Sequence, residues 1–122
     1  MVVDDDAMVL DSLQALLTEW GYEVLTAADA DQAVARVRER SRQPDIVIAD
    51  YRLQEGRTGI EVIRAVRALF DQPIPGVILT GETGMEFIRM AAGQDVGIAH
   101  KPVTPRDLGR VLDQQFKAAN KP

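Results

Sequence analysis

Short apolar runs alternate with amphipathic stretches along the whole chain. The runs predict buried strands at about residues 1–3, 22–26, 46–49, 76–79 and 96–100. After each run, apolar residues recur every three or four positions, which is typical of a helix with one buried face. The pattern therefore predicts five β-α units, in which a parallel sheet carries helices on both faces.

The run at 46–49 is apolar at every position and leads directly into Asp50. A strand without polar alternation is buried on both faces, as in the middle of a parallel sheet. Ligands of such sheets bind at the carboxyl ends of the strands. We therefore expect Asp50 to lie at the reactive edge and to act as a nucleophile.

A capping residue is expected before each helix, where its side chain accepts hydrogen bonds from the free N–H groups of the first turn. The expected caps, with the residues that reinforce them, are Asp6, Asp29 with Gln32, Thr58 with Glu61, Thr83 with Glu86, and Thr104 with Pro105 and Asp107. Asp6 is accordingly interpreted as a cap rather than as a ligand. Gly21 and Gly93 are expected to end the first and fourth helices.

Apolar residues of the first and fourth helices are interpreted as packing residues. The residues expected to pack are Val9, Leu13, Leu16, Trp20, Met85, Phe87 and Met90. The single histidine, His100, has no partner ligands, and we expect it to have a structural or surface role.

The length of 122 residues and the hydrophobic fraction of 46% predict one folded domain, spanning residues 1–122. No apolar run approaches the roughly 20 residues that cross a bilayer, and the start lacks the basic leader of a signal peptide. The chain contains no cysteine, which fits a reducing compartment. We therefore expect a cytoplasmic domain without membrane contact.

The net charge is −5, and the basic residues form no dense cluster. A domain that binds nucleic acid needs a basic surface for the phosphates. Nucleic acid is therefore not expected as a direct partner.

Reactive side chains follow four of the predicted strands: Asp4 and Asp5, Asp50, Thr80, and Lys101. If the strands are parallel, these groups meet at one edge of the sheet. Two carboxylates about 4 Å apart repel by roughly 4 kcal/mol at an effective dielectric constant of 20, so a cation is expected between them. Oxygen ligands of this number favour Mg²⁺ over zinc.

Each of these groups has a role in one reaction. A carboxylate such as Asp50 can attack phosphorus and form an aspartyl phosphate. The transfer requires positive charge around the phosphoryl oxygens, which Mg²⁺ and Lys101 would supply. The Thr80 hydroxyl can donate a hydrogen bond, and Gly81 leaves space for the incoming group.

The segments Val-Val-Asp-Asp, Ile-Ala-Asp, Leu-Thr-Gly and Lys-Pro occur in this order on the first, third, fourth and fifth β-α units. Over its whole length the chain resembles the receiver domain of bacterial response regulators. The resemblance implies a flavodoxin-like (βα)5 three-layer sandwich with strand order 2-1-3-4-5. It also implies phosphotransfer to Asp50 from a phosphohistidine of a histidine kinase or histidine phosphotransfer domain.

The resemblance further assigns the metal ligands. Asp5 and Asp50 match direct Mg²⁺ ligands, and Asp4 matches an acid that acts largely through water. The backbone carbonyl of Arg52 matches the third protein ligand.

Other roles implied by the family concern the conformational switch. Thr80 matches the switch hydroxyl, and Lys101 matches the lysine that binds the phosphoryl group. The Lys101–Pro102 peptide bond is expected to be cis, which is otherwise a minority state. Helix four, strand five and helix five are expected to repack on phosphorylation and are a possible homodimer surface.

The sequence departs from the family pattern at several positions. Ile98 replaces a common aromatic residue, and Gln54 stands where a proline often follows the metal loop. Arg52 and Glu82 flank the acceptor, and we hypothesise that they pair and restrict the attacking water. The first strand lacks its usual preceding residues, and the segments Ala-Asp-Tyr-Arg-Leu and Lys-Pro-Val-Thr-Pro suggest the C-terminal receiver of a hybrid histidine kinase.

Three other functions would require different features. A degenerate receiver would bind partners without being phosphorylated. A Mg²⁺-dependent phosphohydrolase would need a second carboxylate as general acid close after Asp50, where the chain has Tyr51 and Arg52, and it would turn over substrate as an enzyme. A nucleotide-binding domain would need a glycine-rich phosphate loop after strand one, and none is present.

Overall fold

The computed structural model describes residues 1–40 and 42–119, so residues 120–122 of the predicted domain lie outside the described residues. Within the described part, parallel strands form one sheet in the order β2-β1-β3-β4-β5. The strands are β1 (Val2–Val3), β2 (Thr26–Ala27), β3 (Val47–Asp50), β4 (Gly76–Thr80) and β5 (Gly97–His100). The predicted strand order is therefore confirmed.

The strands alternate with α1 (Ala7–Glu19), α2 (Ala30–Arg40), α3 (Gly59–Phe70), α4 (Met85–Gly93) and α5 (Pro105–Ala119). A short 3-10 helix, Gln54–Gly56, lies in the loop before α3. The element order confirms the predicted (βα)5 pattern. None of the described helices is long and apolar enough to cross a lipid bilayer.

Four helices begin at the capping side chains that the sequence predicts. The bonded pairs, cap first, are Asp6 with the Met8 N–H, Asp29 with the Gln32 N–H, Thr58 with the Glu61 N–H and Thr104 with the Asp107 N–H. The predicted cap of α4 is wrong. Gly84 occupies that position without a side-chain hydrogen bond, because the chain runs one residue further than Thr83 before the helix begins.

The sheet separates two layers of buried apolar side chains. Side chains of α2, α3 and α4 pack on one face, where Val47, Ala49 and Ile78 point. Side chains of α1 and α5 pack on the other face, where Ile48 and Leu79 point. Because successive strand residues face opposite sides, both layers need apolar residues in β3 and β4, which explains why those strands show no polar alternation.

The second strand is shorter than the predicted strand at 22–26. Val2 of β1 pairs with Thr26, and the Val2 N–H donates to the Leu25 carbonyl at 2.8 Å. Residues 22–24 therefore come before the first β1–β2 pair, and they do not pair with β1.

Two predicted packing residues are wrong. Trp20 is 39% exposed and Met85 is 64% exposed. Trp20 is the C-terminal cap of α1 rather than part of its buried stripe. The predicted burial of Leu13 is confirmed, and the second buried residue of α1 is Leu17, four residues further on. The predicted burial of Phe87 is confirmed, and Met90 is partly buried against the same layer.

The central strands reach further toward the reactive edge than predicted. Asp50 is the last residue of β3 and Thr80 the last residue of β4, so both side chains leave from strand backbone. His100 ends β5 and is exposed, as expected. The Lys101–Pro102 peptide bond is cis, which confirms the expected isomer.

Candidate active site

The carboxyl ends of the strands bring the predicted reactive groups together. Thr80 pairs with His100 in the β4–β5 ladder, and the Lys101 N–H donates to the Thr80 carbonyl at 2.9 Å. One open pocket is lined by Asp50, Tyr51, Arg52, Thr80, Gly81, Glu82, Thr83, Gly84 and Lys101. The predicted convergence of the third, fourth and fifth strand ends is therefore present in the structure.

Three carboxylates lie beside this pocket. Asp4, Asp5 and Asp50 each offer an oxygen, and these oxygens all lie within 4.8 Å of one another. Asp4 is 1% exposed, and one of its oxygens accepts a hydrogen bond from the Asp6 N–H at 2.9 Å. Its other oxygen, Oδ2, is buried without a hydrogen-bond partner. A buried carboxylate oxygen is costly when unpaired, and a cation would complete its coordination.

The donor set suits a hard cation. The three side chains supply oxygen only, which is the ligand type of Mg²⁺, and they supply no nitrogen or sulfur for a softer metal. Burial raises the pKa of Asp4 above 3.8, the hydrogen bond from the Asp6 N–H lowers it, and the Asp50 charge raises it further. Burial and the neighbouring charges therefore disfavour the ionised form of Asp4, and a bound cation would favour it.

Lys101 supplies the positive charge of the site. Its Nζ lies 2.9 Å from Asp50 Oδ1, which identifies a direct ion pair. Desolvation lowers the pKa of Lys101, but the hydrogen bond and charge of Asp50, together with the charges of Asp4 and Asp5, outweigh it, so the net pKa is raised above 10.5. The side chain therefore stays an ammonium at neutral pH.

Thr80 presents its hydroxyl at the end of β4. The residue is 2% exposed, and its Oγ1 accepts a hydrogen bond from the Glu82 N–H at 3.0 Å. A hydroxyl that accepts one bond keeps its own proton for donation. Thr80 can therefore donate toward a group placed on Asp50.

Arg52 and Glu82 form an ion pair beside the pocket, so the predicted contact is confirmed. The Arg52 guanidinium also lies 5.6 Å from the centre of the Tyr51 ring. The role of the Arg52 carbonyl as a metal ligand, and the metal roles of Asp4 and Asp5, stay predictions.

Gly59 fits closely beneath Asp50. Its N–H donates to the Tyr51 carbonyl at 2.9 Å. A Cβ atom at this position would lie 2.4 Å from the Asp50 carbonyl oxygen, a distance that requires the backbone to move. The first residue of α3 therefore supports Asp50 by close backbone packing.

Two residues that the sequence pattern did not single out make contacts that position α4. The Tyr51 ring packs edge-on against Phe87 of α4, with ring centres 4.7 Å apart. Arg67 of α3 donates to the backbone carbonyls of Ile74, before β4, and of Gln94 and Asp95, between α4 and β5. The aromatic residue directly after Asp50 was a signal for the first contact, whereas an arginine in a last helical turn gave no signal for the second.

Comparison with known families gives one match that covers nearly the whole chain. The model described as "Response regulator receiver domain" matches residues 1–113. The chain is 36% identical over 110 residues to the DNA-binding response regulator MtrA of Mycobacterium tuberculosis, covering 88% of this chain and 46% of that protein. It is 38% identical over 122 residues to the transcriptional regulatory protein ZraR of Salmonella typhimurium, covering 97% of this chain and 25% of that protein.

Solved structures give the same result. The chemotaxis protein CheY4 of Vibrio cholerae superposes with a TM-score of 0.83 at 30% identity, covering 93% of this chain and 94% of that chain. The receiver domain of NtrX from Brucella abortus gives a TM-score of 0.80 at 27% identity, with 95% and 96% covered. The chain thus matches isolated receivers almost end to end, whereas it spans less than half the length of the two curated relatives.

Proposed function

The chain belongs to the response regulator receiver domain family and is a phosphoacceptor signalling module, and on that premise we propose that Asp50 accepts the phosphoryl group with Mg²⁺ as cofactor. The observation that carries the proposal is the position of Asp50. Its carboxylate lies within 4.8 Å of the Asp4 and Asp5 oxygens and contacts the Lys101 ammonium at 2.9 Å. One nucleophile therefore lies between an acidic pair and a cation.

In the proposed reaction an Asp50 oxygen attacks the phosphorus atom of a phosphohistidine. The new oxygen–phosphorus bond forms as the bond from phosphorus to the donor imidazole nitrogen breaks, and that nitrogen keeps the electron pair. Asp4, Asp5 and Asp50 would hold Mg²⁺, with the Arg52 carbonyl as a further ligand, and the ion would supply positive charge at the transferring group.

Lys101 and Thr80 would then bind the phosphorylated carboxylate. Lys101 already contacts Asp50, so a small movement of its ammonium reaches a phosphoryl oxygen. The Thr80 hydroxyl would donate to another oxygen, because its proton is not used in the bond from Glu82. The added charge of about −2 would draw Thr80 inward and repack α4, β5 and α5.

The Arg52–Glu82 ion pair would restrict hydrolysis. The pair lines the same pocket as Asp50 and Lys101, on the open side of the acceptor. A water that attacks phosphorus must approach opposite the Asp50 oxygen, in line with the bond that breaks. Side chains held together across that approach would slow the loss of the phosphoryl group.

The partners follow from this chemistry. The donor is a phosphohistidine of a histidine kinase or histidine phosphotransfer domain, and no direct nucleic-acid or membrane contact is proposed for this domain. A homodimer through α4, β5 and α5 is supported by the exposed Met85 and Ile88 of α4. The cytoplasmic location and the place at the C-terminus of a hybrid histidine kinase stay predictions.

Intact-mass measurement after incubation with Mg²⁺ and a small phosphodonor tests the proposal. We expect one phosphoryl group per chain, none in Asp50→Asn, and normal labelling in the control Asp45→Asn, an exposed acid before β3. Labelling that persists in Asp50→Asn would contradict the assignment. An unlabelled native chain would indicate a degenerate receiver, and continued turnover of a phosphate ester would indicate a phosphohydrolase.

A further inference from the structure

The C-terminal end of α4 is tied to the rest of the fold by one side chain. Arg67 of α3 donates to the carbonyls of Ile74, Gln94 and Asp95, each at 2.8 Å. Gln94 is the C-terminal cap of α4, and Ile74 lies just before β4. The planar, rigid guanidinium of this one arginine therefore joins α3 to the start of β4 and to the end of α4.

The N-terminal end of α4 lacks such a tie. Gly84 caps the helix without a side-chain hydrogen bond. Gly81, Thr83 and Gly84 in the preceding loop are exposed, and a Cβ atom at either glycine would meet nothing within 4 Å. Met85 in the first turn is 64% exposed. The end of α4 that faces the acceptor is therefore held more weakly than the far end.

The Tyr51–Phe87 contact links this weakly held end to the acceptor. Tyr51 follows Asp50, and its N–H donates to the Leu79 carbonyl at 2.9 Å, so its backbone is fixed to β4. Its ring meets Phe87 edge-on, with 4.7 Å between centres and 73° between planes. An edge-to-face aromatic pair depends on ring geometry, so a change at Tyr51 is felt by the first half of α4.

We propose that Arg67 fixes the end of α4 as a pivot, and that Tyr51 and Phe87 move its first half according to the state of Asp50. Both Arg67 and Tyr51 are positioning residues, because they act through α4 and not on the reacting atoms. The proposal rests on phosphorylation of Asp50 and adds the route by which that event reaches α4.

The charge balance around Tyr51 supplies the trigger. The Arg52 guanidinium lies over the Tyr51 ring and pairs with Glu82 in the loop before α4. A phosphoryl group on Asp50 adds a charge of about −2, which attracts that guanidinium toward the acceptor. Arg52 moves with Glu82 still paired to it, so the loop before α4 is drawn toward Asp50, and the shift of the cation over the Tyr51 ring changes the contact with Phe87. The first turn of α4 then moves while Arg67 holds the last turn.

Spin-label distances at the two ends of α4 test this model. The chain has no cysteine, so introduced pairs are unique. Glu39→Cys on α2 carries the reference label. The second label is placed at Glu86→Cys, in the first turn of α4, or at Ala92→Cys, in its last turn. The native residues at all three positions are exposed. On addition of Mg²⁺ and beryllofluoride, we expect the 39–86 distance to shift and the 39–92 distance to stay constant. Equal shifts at both ends would overturn the pivot.

Substitutions separate the two positioning residues. Arg67→Met should make the 39–92 distance shift as well, whereas Arg64→Met, an exposed arginine of the same helix, should not. Tyr51→Leu should abolish the 39–86 shift, and Tyr51→Phe, which keeps the ring, should retain it. Phe87→Leu repeats the test from the other side of the contact. A 39–86 shift that persists in folded Tyr51→Leu and Phe87→Leu would refute the link.

Intact mass after phosphodonor treatment, measured on the same variants, distinguishes failure of this model from failure of the proposed function. If Tyr51→Leu is phosphorylated normally and keeps the 39–86 shift, the proposed role of the Tyr51–Phe87 contact is refuted. The proposed phosphorylation of Asp50 is then unaffected. An unphosphorylated native chain refutes the function, and the pivot model falls with it.

Discussion

The two sides of the candidate active site are built differently. The floor consists of β3 and β4, whose residues are buried without exception and end in Asp50 and Thr80, 9% and 2% exposed. The α4 side begins at an uncapped glycine and exposes Met85. The groups that would perform the chemistry are thus fixed by both core layers, whereas the element that would report it is held by few contacts. Local opening costs least where burial is low, so a response is easiest on the α4 side.

The two sides should differ most in the free energy of unfolding that is lost when an apolar side chain is truncated. Ile78→Ala in β4 removes a fully buried side chain and should lower the free energy of unfolding by about 2–5 kcal/mol. Ile88 on α4 is 37% exposed, so Ile88→Ala should lower the free energy of unfolding by less than about 1 kcal/mol. Urea unfolding measures both, and equal costs would show that α4 is as firmly packed as the floor.

Cation binding at the Asp4, Asp5 and Asp50 carboxylates should raise the free energy of unfolding by an amount that depends on pH. At 100 times its dissociation constant, Mg²⁺ should add about 2.7 kcal/mol to the free energy of unfolding. Without Mg²⁺, the raised pKa of Asp4 means that the folded state binds the proton more tightly than the unfolded state. This group's contribution to stability should therefore fall as pH rises through the window above 3.8, and Mg²⁺ should have least effect at the acid end, where protons compete.

Thermal unfolding with and without Mg²⁺ across that pH range provides the measurement. Ca²⁺-free and chelator-treated samples serve as controls for trace metal. A Mg²⁺ effect that grew as the pH fell would contradict the assignment of the cation to these carboxylates.

A methyl group at Gly59 should disturb the floor. Gly59→Ala places an atom against the Asp50 carbonyl, so we expect a loss of about 1–3 kcal/mol and slower phosphorylation. Gly93→Ala, at the end of α4 where a Cβ meets nothing within 4 Å, should be neutral or slightly stabilising. If unfolding curves of the two variants coincided, the close packing beneath Asp50 would be of no consequence.

Two threonines that look alike in the sequence should differ in effect. Thr58→Ala removes the cap of α3, next to the floor, and should cost about 1 kcal/mol. Thr83→Ala should leave the unfolding free energy unchanged within error, because this side chain does not cap α4. A cost at Thr83 as large as that at Thr58 would mean that α4 begins earlier than the structure shows.

The smallest effect on stability, with a measurable effect on kinetics, is expected at the ion pair that joins the two sides. Arg52→Ala combined with Glu82→Ala should leave folding intact, because an exposed pair contributes little. The aspartyl phosphate should decay faster, since water can then approach the phosphorus. The decay of intact-mass label over time measures this, and an unchanged lifetime would disprove the shielding role.

Local signals explain most of what the sequence predicts correctly. The caps at Asp6, Asp29, Thr58 and Thr104 act within one turn, so a sequence pattern suffices to place them. Asp50 and Thr80 follow apolar runs, and the parallel topology alone brings them together. The strand order, by contrast, came from the family resemblance, since the pattern does not specify which strands are neighbours.

Tertiary context explains what the sequence does not predict. The strand at 22–26 has strand-forming residues, but its ladder depends on where β1 begins. Thr83 has the chemistry of a cap, yet Gly84 takes the position. The bonds of Arg67 reach residues 27 and 28 positions away, and no local pattern encodes such a distance.

The site draws its parts from widely separated points of the chain, from Asp4 in the first tenth to Lys101 after the last strand. During synthesis, Asp50 therefore leaves the ribosome about fifty residues ahead of Lys101, whose ammonium it contacts. A growing polypeptide has no complete site until the final β-α unit is available to fold. With the proposed chemistry, the domain receives its signal only after its last β-α unit has been made.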